Sequence, residues 1–197
     1  MRPLWLAVSI VTVDQGTKAI VRNSMHRGES IQLIGDWFKL TFTENPGMAF
    51  GIEFGSPLIV TGMAIAATVL IVLYLRVVRT NNIGYTLSLA LILGGAIGNI
   101  IDRLFFAVIY GYGGMFQGKV VDFIHFDFWT GRVPQSIPLI GGNYVAMFPI
   151  WNVADMSIVV GVVLVILFQR VMRLDSDQAE EQSVPVADTP ETQPLRS

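Results

Sequence analysis

The chain has 197 residues, of which 52% are hydrophobic and 14% charged, with no cysteine and a formal net charge of -2. That balance excludes an ordinary water-soluble domain and points to a membrane class. Without a thiol, disulfides, cysteine nucleophiles and cysteine-ligated metals are all excluded, so any chemistry rests on oxygen, nitrogen or histidine.

A spanning helix needs about 20 mostly apolar residues at a rise of ~1.5 Å each. The first candidate covers about 3–21, "PLWLAVSIVTVDQGTKAIV". A base followed by an apolar run is also how a signal peptide begins, but no small-residue cleavage site follows. Asp14 and Lys18 lie four apart on one helical face, so a retained helix with a polar exit is expected. In the connection 22–56, "IQLI" and "WFKLTFT" alternate with period two around Gly35-Asp36, which predicts a hairpin outside the bilayer. The second span, about 57–77, opens on Pro57 and carries no polar group that demands explanation.

The third span, about 84–104, contains the GxxxG step Gly94/Gly98, which lets a neighbouring helix approach closely. It also carries Asn99, Asp102 and Arg103, with Asn99 and Arg103 on one face. In the connection 105–146, "KVVDFIHFDFW" reads as a short aromatic-rich strand, and Trp37, Phe126, Phe128 and Trp129 suit the headgroup level. The fourth span, about 147–169, holds Asn152 and Asp155 near its start. Residues 174–197 carry six acids against one base, with three prolines and no aromatic residue, and are expected to be a disordered acidic tail. Without them the body holds 12 bases against 9 acids.

The expected fold is therefore a membrane all-α bundle of four transmembrane helices with a small β-rich cap on one face, over residues 1–173. With four spans, both long connections fall on one side and both termini on the other.

An ionisable residue inside a span costs on the order of 2.5–3.5 kcal/mol and usually faces the bundle interior. Asp14, Lys18 and Asp102 read as pairs that hold helices together. Asp122 and Asp155 have no comparable basic partner, and Asn152 lies three before Asp155. Two carboxyls brought together in a low-dielectric site share a proton, the arrangement of an aspartic protease. Sequence spacing alone does not bring them together. His26 and His125 lack a metalloprotease context, and no serine sits in a nucleophile elbow.

The strings "DQGTK" at 14–18, "TENPGMAFG" at 43–51, "GGAIGNIIDR" at 94–103, "VVDF" at 120–123 and "WNVAD" at 151–155 together resemble the lipoprotein signal peptidases (signal peptidase II). These are membrane aspartic proteases of the bacterial inner membrane. The resemblance implies that Asp122 and Asp155 form a catalytic dyad, that Asn45, Asn99, Arg103 and Asn152 hold the dyad and the substrate, and that Asp14 and Lys18 give structural support. It implies cleavage of prolipoproteins just before a cysteine bearing diacylglycerol, with no cofactor, metal or covalent intermediate. It further implies a monomer in contact with membrane lipids and no nucleic acid, with both termini cytoplasmic and the active site at the extracytoplasmic face. Two features depart from the family: "TGRVPQSIPLIGGNYV" looks like an insertion, and Trp151 stands where the family usually has Phe. The alternatives are an inactive membrane binding or scaffold protein, and a transporter, which would want a polar path through the membrane.

Overall fold

The computed structural model describes residues 2–49, 52–53, 56–77, 82–128, 130–132, 134–136, 142, 144–146 and 148–183. Four helices carry the chain: α1 (Arg2–Ser24), α2 (Pro57–Val77), α3 (Ile83–Ile109) and α4 (Val153–Ser183). Each contains a stretch long and apolar enough to cross a membrane.

Helix ends correct three of the expected bounds. α3 begins after Asn82, whose side-chain oxygen accepts the Tyr85 N–H at 3.0 Å. It runs to Ile109 instead of stopping near 104, because the first stop signal is Gly111, at φ +70. There the Tyr112 N–H bonds the Ala107 carbonyl at 2.9 Å and the Gly111 N–H bonds Val108 at 3.3 Å, satisfying carbonyls that the helix leaves open.

α4 begins at Val153, not at 147, because Asn152 caps it. Asn152 Oδ1 accepts the Asp155 N–H at 2.9 Å while Asp155 Oδ2 accepts the Asn152 N–H at 3.3 Å. This reciprocal capping box makes Asn152 the last residue before the helix, so it does not share a helical face with Asp155. At the other end α4 extends to Ser183, so residues 174–183 of the expected disordered tail are helical. Gln, Ala and Glu in that stretch favour helix, and Pro185 follows just beyond. Residues 184–197 and Trp129 lie outside the described residues.

The expected hairpin forms from β1 (Ser30–Ile34) and β2 (Phe38–Asn45), with Gly35 at φ +50 in its turn. β5 (Val120–Phe126) and β8 (Ile150–Trp151) complete an antiparallel sheet in the order β1-β2-β5-β8. Two small hairpins accompany it, β3 (Met48–Ala49) with β4 (Ile52–Glu53), and β6 (Thr130–Arg132) with β7 (Tyr144–Ala146). The second hairpin draws on the two ends of the stretch "TGRVPQSIPLIGGNYV".

One extra residue in β2 re-aims the sheet. The register passes from Leu40 opposite Ile124 to Thr43 opposite Asp122, a bulge at Thr41 and Phe42. Phe42 then joins Val21, Met25, Phe106, Val121 and Phe123 in the core between α1, α3 and the sheet. Each such side chain contributes about 1.5–3 kcal/mol when fully buried. Thr43 and Asn45 return to the face of Asp122.

α3 is the central helix, packed against α1, α2 and α4. Small residues permit this: a Cβ on Gly94 would lie 2.9 Å from the Ala7 carbonyl, and one on Gly98 2.6 Å from Asp14 Oδ2. The GxxxG step therefore faces α1, as its spacing predicts.

Candidate active site

Asp122 hangs from β5, and Asp155 is the third residue of α4. Asn152 Nδ2 donates to Asp122 Oδ1 at 2.6 Å and to Asn99 Oδ1 at 3.1 Å. Asn99 Nδ2 in turn donates to Asp155 Oδ1 at 2.7 Å. The run Asp122, Asn152, Asn99, Asp155 is thus an unbroken chain of hydrogen bonds drawing on β5, the cap of α4, α3 and α4. Asn45, on β2, hydrogen-bonds Asp122 through its side chain and accepts the Gly47 N–H at 2.8 Å.

Both carboxyls and Asn45 line a cavity of about 230 Å³. Pro149, Ile150 and Trp151 form one further wall and Ile158 and Val159 of α4 another, so the two acids stand in largely apolar surroundings. Burial, and after it the neighbouring Asp155 charge, push Asp122 from 3.8 up to about 7; Asn152 and Asn45 oppose this by hydrogen bonding the carboxylate. A carboxyl that titrates there exchanges its proton near neutral pH, as an acid-base catalyst requires.

Behind this pair lies a second polar layer. Lys18 Nζ, fully buried, lies 2.8 Å from Asp14 and 2.8 Å from Asp102, and donates to Asn99 Oδ1 at 3.0 Å. Asp14 Oδ1 accepts the Ala154 N–H at 2.9 Å in the open first turn of α4, and Asp102 Oδ2 accepts the Val121 N–H at 3.2 Å. One ammonium and two carboxylates therefore tie α1, α3, α4 and β5 together, and hold Asn99 with its amide group toward Asp155. Asp102 pairs across helices with Lys18, although Arg103 is its neighbour in sequence. Arg103, on α3 beside Asp102, has its Nη1 buried with no hydrogen-bond partner among the described residues.

Gln15 escaped the sequence reading. Its Nε2 donates to Asp102 Oδ1 at 2.8 Å, to the Gly98 carbonyl at 3.0 Å and to Asp14 Oδ2 at 3.2 Å. The signal available was its place beside Asp14 at the polar exit of an otherwise apolar helix. His125 points to the face opposite Asp122, where its Nδ1 meets Thr41 Oγ1 at 3.0 Å, as an extended strand requires. The outward bases are partly committed within the chain: Arg22 bonds Glu44 at 2.6 Å and lies 3.6 Å over the Tyr110 ring.

The family model for signal peptidase (SPase) II matches residues 6–171. The chain belongs to the signal peptidase II family. It is accordingly an aspartic peptidase. It is 40% identical to a lipoprotein signal peptidase of Amoebophilus asiaticus over 84% of this chain and 76% of that protein. It is 34% identical to one from Porphyromonas gingivalis over 97% of this chain and 92% of the relative. Among solved structures, a bacterial membrane enzyme determined by the in meso method superposes with a TM-score of 0.66 at 28% identity, covering 94% of each chain. Residues 6–171 include all four apolar helices' cores, both acids and the whole asparagine chain between them.

Proposed function

We propose that this signal peptidase II removes signal peptides from diacylglyceryl-modified prolipoproteins, cutting before the lipidated cysteine, with Asp122 and Asp155 as the catalytic dyad. The observation that carries the reading is the hydrogen-bonded chain from Asp122 through Asn152 and Asn99 to Asp155 at one cavity. An inert binding protein has no need to hold one buried acid and one half-buried acid in this way.

Both oxygens of Asp155 accept hydrogen bonds, from Asn99 Nδ2 and from the Asn152 N–H, which stabilise its charged form. Asp155 is the base that takes a proton from water as it attacks the scissile carbonyl. Asp122, titrating at about 7, is the acid that protonates the carbonyl oxygen and later the leaving amine. Asn45, Asn99 and Asn152 hold the two carboxyls, and Asn45, which lines the cavity, also faces the substrate backbone; the resemblance adds Arg103 to the groups that hold the dyad and the substrate. Asp14, Lys18 and Asp102 keep that frame in place. No metal or covalent enzyme intermediate takes part.

The four helices of this peptidase domain, residues 1–173, cross the bacterial inner membrane, with both termini in the cytoplasm. The sheet and small hairpins form a cap on the extracytoplasmic side. The first turn of α4 then stands at the membrane surface, where a signal helix leaves the lipid and its bond to the lipidated cysteine becomes reachable. The enzyme works as a monomer among lipids.

The test is cleavage of a diacylglyceryl-modified prolipoprotein in liposomes by the parent chain and by Asp122→Asn and Asp155→Asn. Loss of cleavage in both, with thermal stability retained, supports the dyad. Cleavage surviving either substitution sinks it.

A further inference from the structure

The cavity wall formed by Pro149, Ile150 and Trp151 does not end at the cavity. Next to Pro149, the Phe148 ring meets Phe128 edge-on at 5.5 Å. Phe128 stacks on Trp37 at 5.2 Å and on Phe126 at 6.0 Å, and Phe126 stacks on Phe38 at 5.2 Å. Asp122, Ile124 and Phe126 alternate along β5 and so share one face, with Trp151 opposite Ile124 and Phe38 opposite Phe126. A run of rings therefore leads from the dyad along one sheet face. Phe128 is 56% exposed, Trp37 40% and Phe148 38%, more open aromatic surface than the packing of the sheet requires.

We infer that this aromatic run is the binding track for the mature side of the substrate, the extended residues that follow the lipidated cysteine. The assignment rests on the function proposed above. Direction settles which half of the substrate uses it. Ile158 and Val159 form the wall that continues down the apolar helix α4, which suits the signal helix arriving from lipid. The departing half then leaves past the other lining residues, Pro149 to Trp151, from which the rings continue. Flat aromatic faces bind a polypeptide through apolar side chains and backbone with little sequence demand.

The experiment compares kcat/KM for two lipidated substrates in detergent and in liposomes: one ending at the cysteine as its amide, the other carrying five further residues. The parent is expected to prefer the longer substrate by at least about tenfold, each aromatic contact being worth roughly three- to tenfold. Phe128→Ala and Trp37→Ala should each remove about that factor for the longer substrate through KM, and leave the short one unchanged. The unchanged short substrate also certifies that the variants fold. Equal rates on both substrates by the parent overturn the track. So does an equal loss on both substrates confined to liposomes, which would make the rings a membrane anchor. If neither substrate is cleaved, the peptidase reading itself falls, and the track with it.

Discussion

Replacing Asp122 by Asn should make the protein more stable as it makes it inactive, by an amount that depends on pH. The carboxyl titrates at about 7 in the folded chain instead of 3.8, because burial and the Asp155 charge oppose its ionised form. Below pH 4 folded and unfolded chains both carry the proton and there is no penalty. Between pH 4 and 7 the unfolded chain releases it while the folded chain keeps it, so folding stability falls as pH rises and levels off above 7. Integrated over that window, the parent loses about 4 kcal/mol that the neutral amide does not lose. The amide oxygen can still accept the 2.6 Å bond from Asn152, so the frame is kept. Thermal unfolding in detergent at pH 4.5 and pH 8 measures the difference. At roughly 2–4 °C per kcal/mol for a chain of this size, the gap between variant and parent should widen by on the order of 10 °C at the higher pH. A gap that is the same at both values would refute the claim that Asp122 sits protonated in a dry site.

Three further outcomes follow from the same geometry. The kcat/KM of the parent should fall as pH rises through about 7, because the acid form of Asp122 is the one the reaction uses; a profile flat from pH 6 to 9 contradicts that role. Lys18→Met leaves Asp14 and Asp102 buried without their cation and should cost about 3–5 kcal/mol in denaturant unfolding. Adding Asp14→Asn and Asp102→Asn to that chain should recover part of the loss, and no recovery would mean the charges are not what the lysine holds. Gly98→Ala places a methyl 2.6 Å from Asp14 Oδ2 and 3.2 Å from the Ala154 Cβ, which should cost about 1–3 kcal/mol and lower activity through the displaced α1. Gly16→Ala, whose added Cβ meets nothing within 4 Å, is the control and should be neutral or slightly stabilising.

The sequence by itself determined what depends on neighbours along the chain. Apolar runs of spanning length stand out because a helix satisfies its own backbone, so length and composition suffice to find all four. The β1–β2 hairpin follows from alternation around Gly35-Asp36, and the Asp14–Lys18 pair from a spacing of four. The motifs carried the family.

Tertiary structure decided the rest, for reasons that lie between elements. Ile150 and Trp151 lie in a run apolar enough to pass for the start of a helix, but their pairing with β5 and the capping of α4 by Asn152 make them a strand. Asp102 has Arg103 beside it in sequence, yet its partner is Lys18 from α1, brought there by the close contact that Gly98 allows. Gln15 is an unremarkable amide until α3 places three acceptors around it. That Asp122 and Asp155 line one cavity rests on an asparagine chain drawn from separate parts of the sequence. Local propensity cannot encode such a meeting, because its energy comes from burial and hydrogen bonds that exist only after the helices have packed.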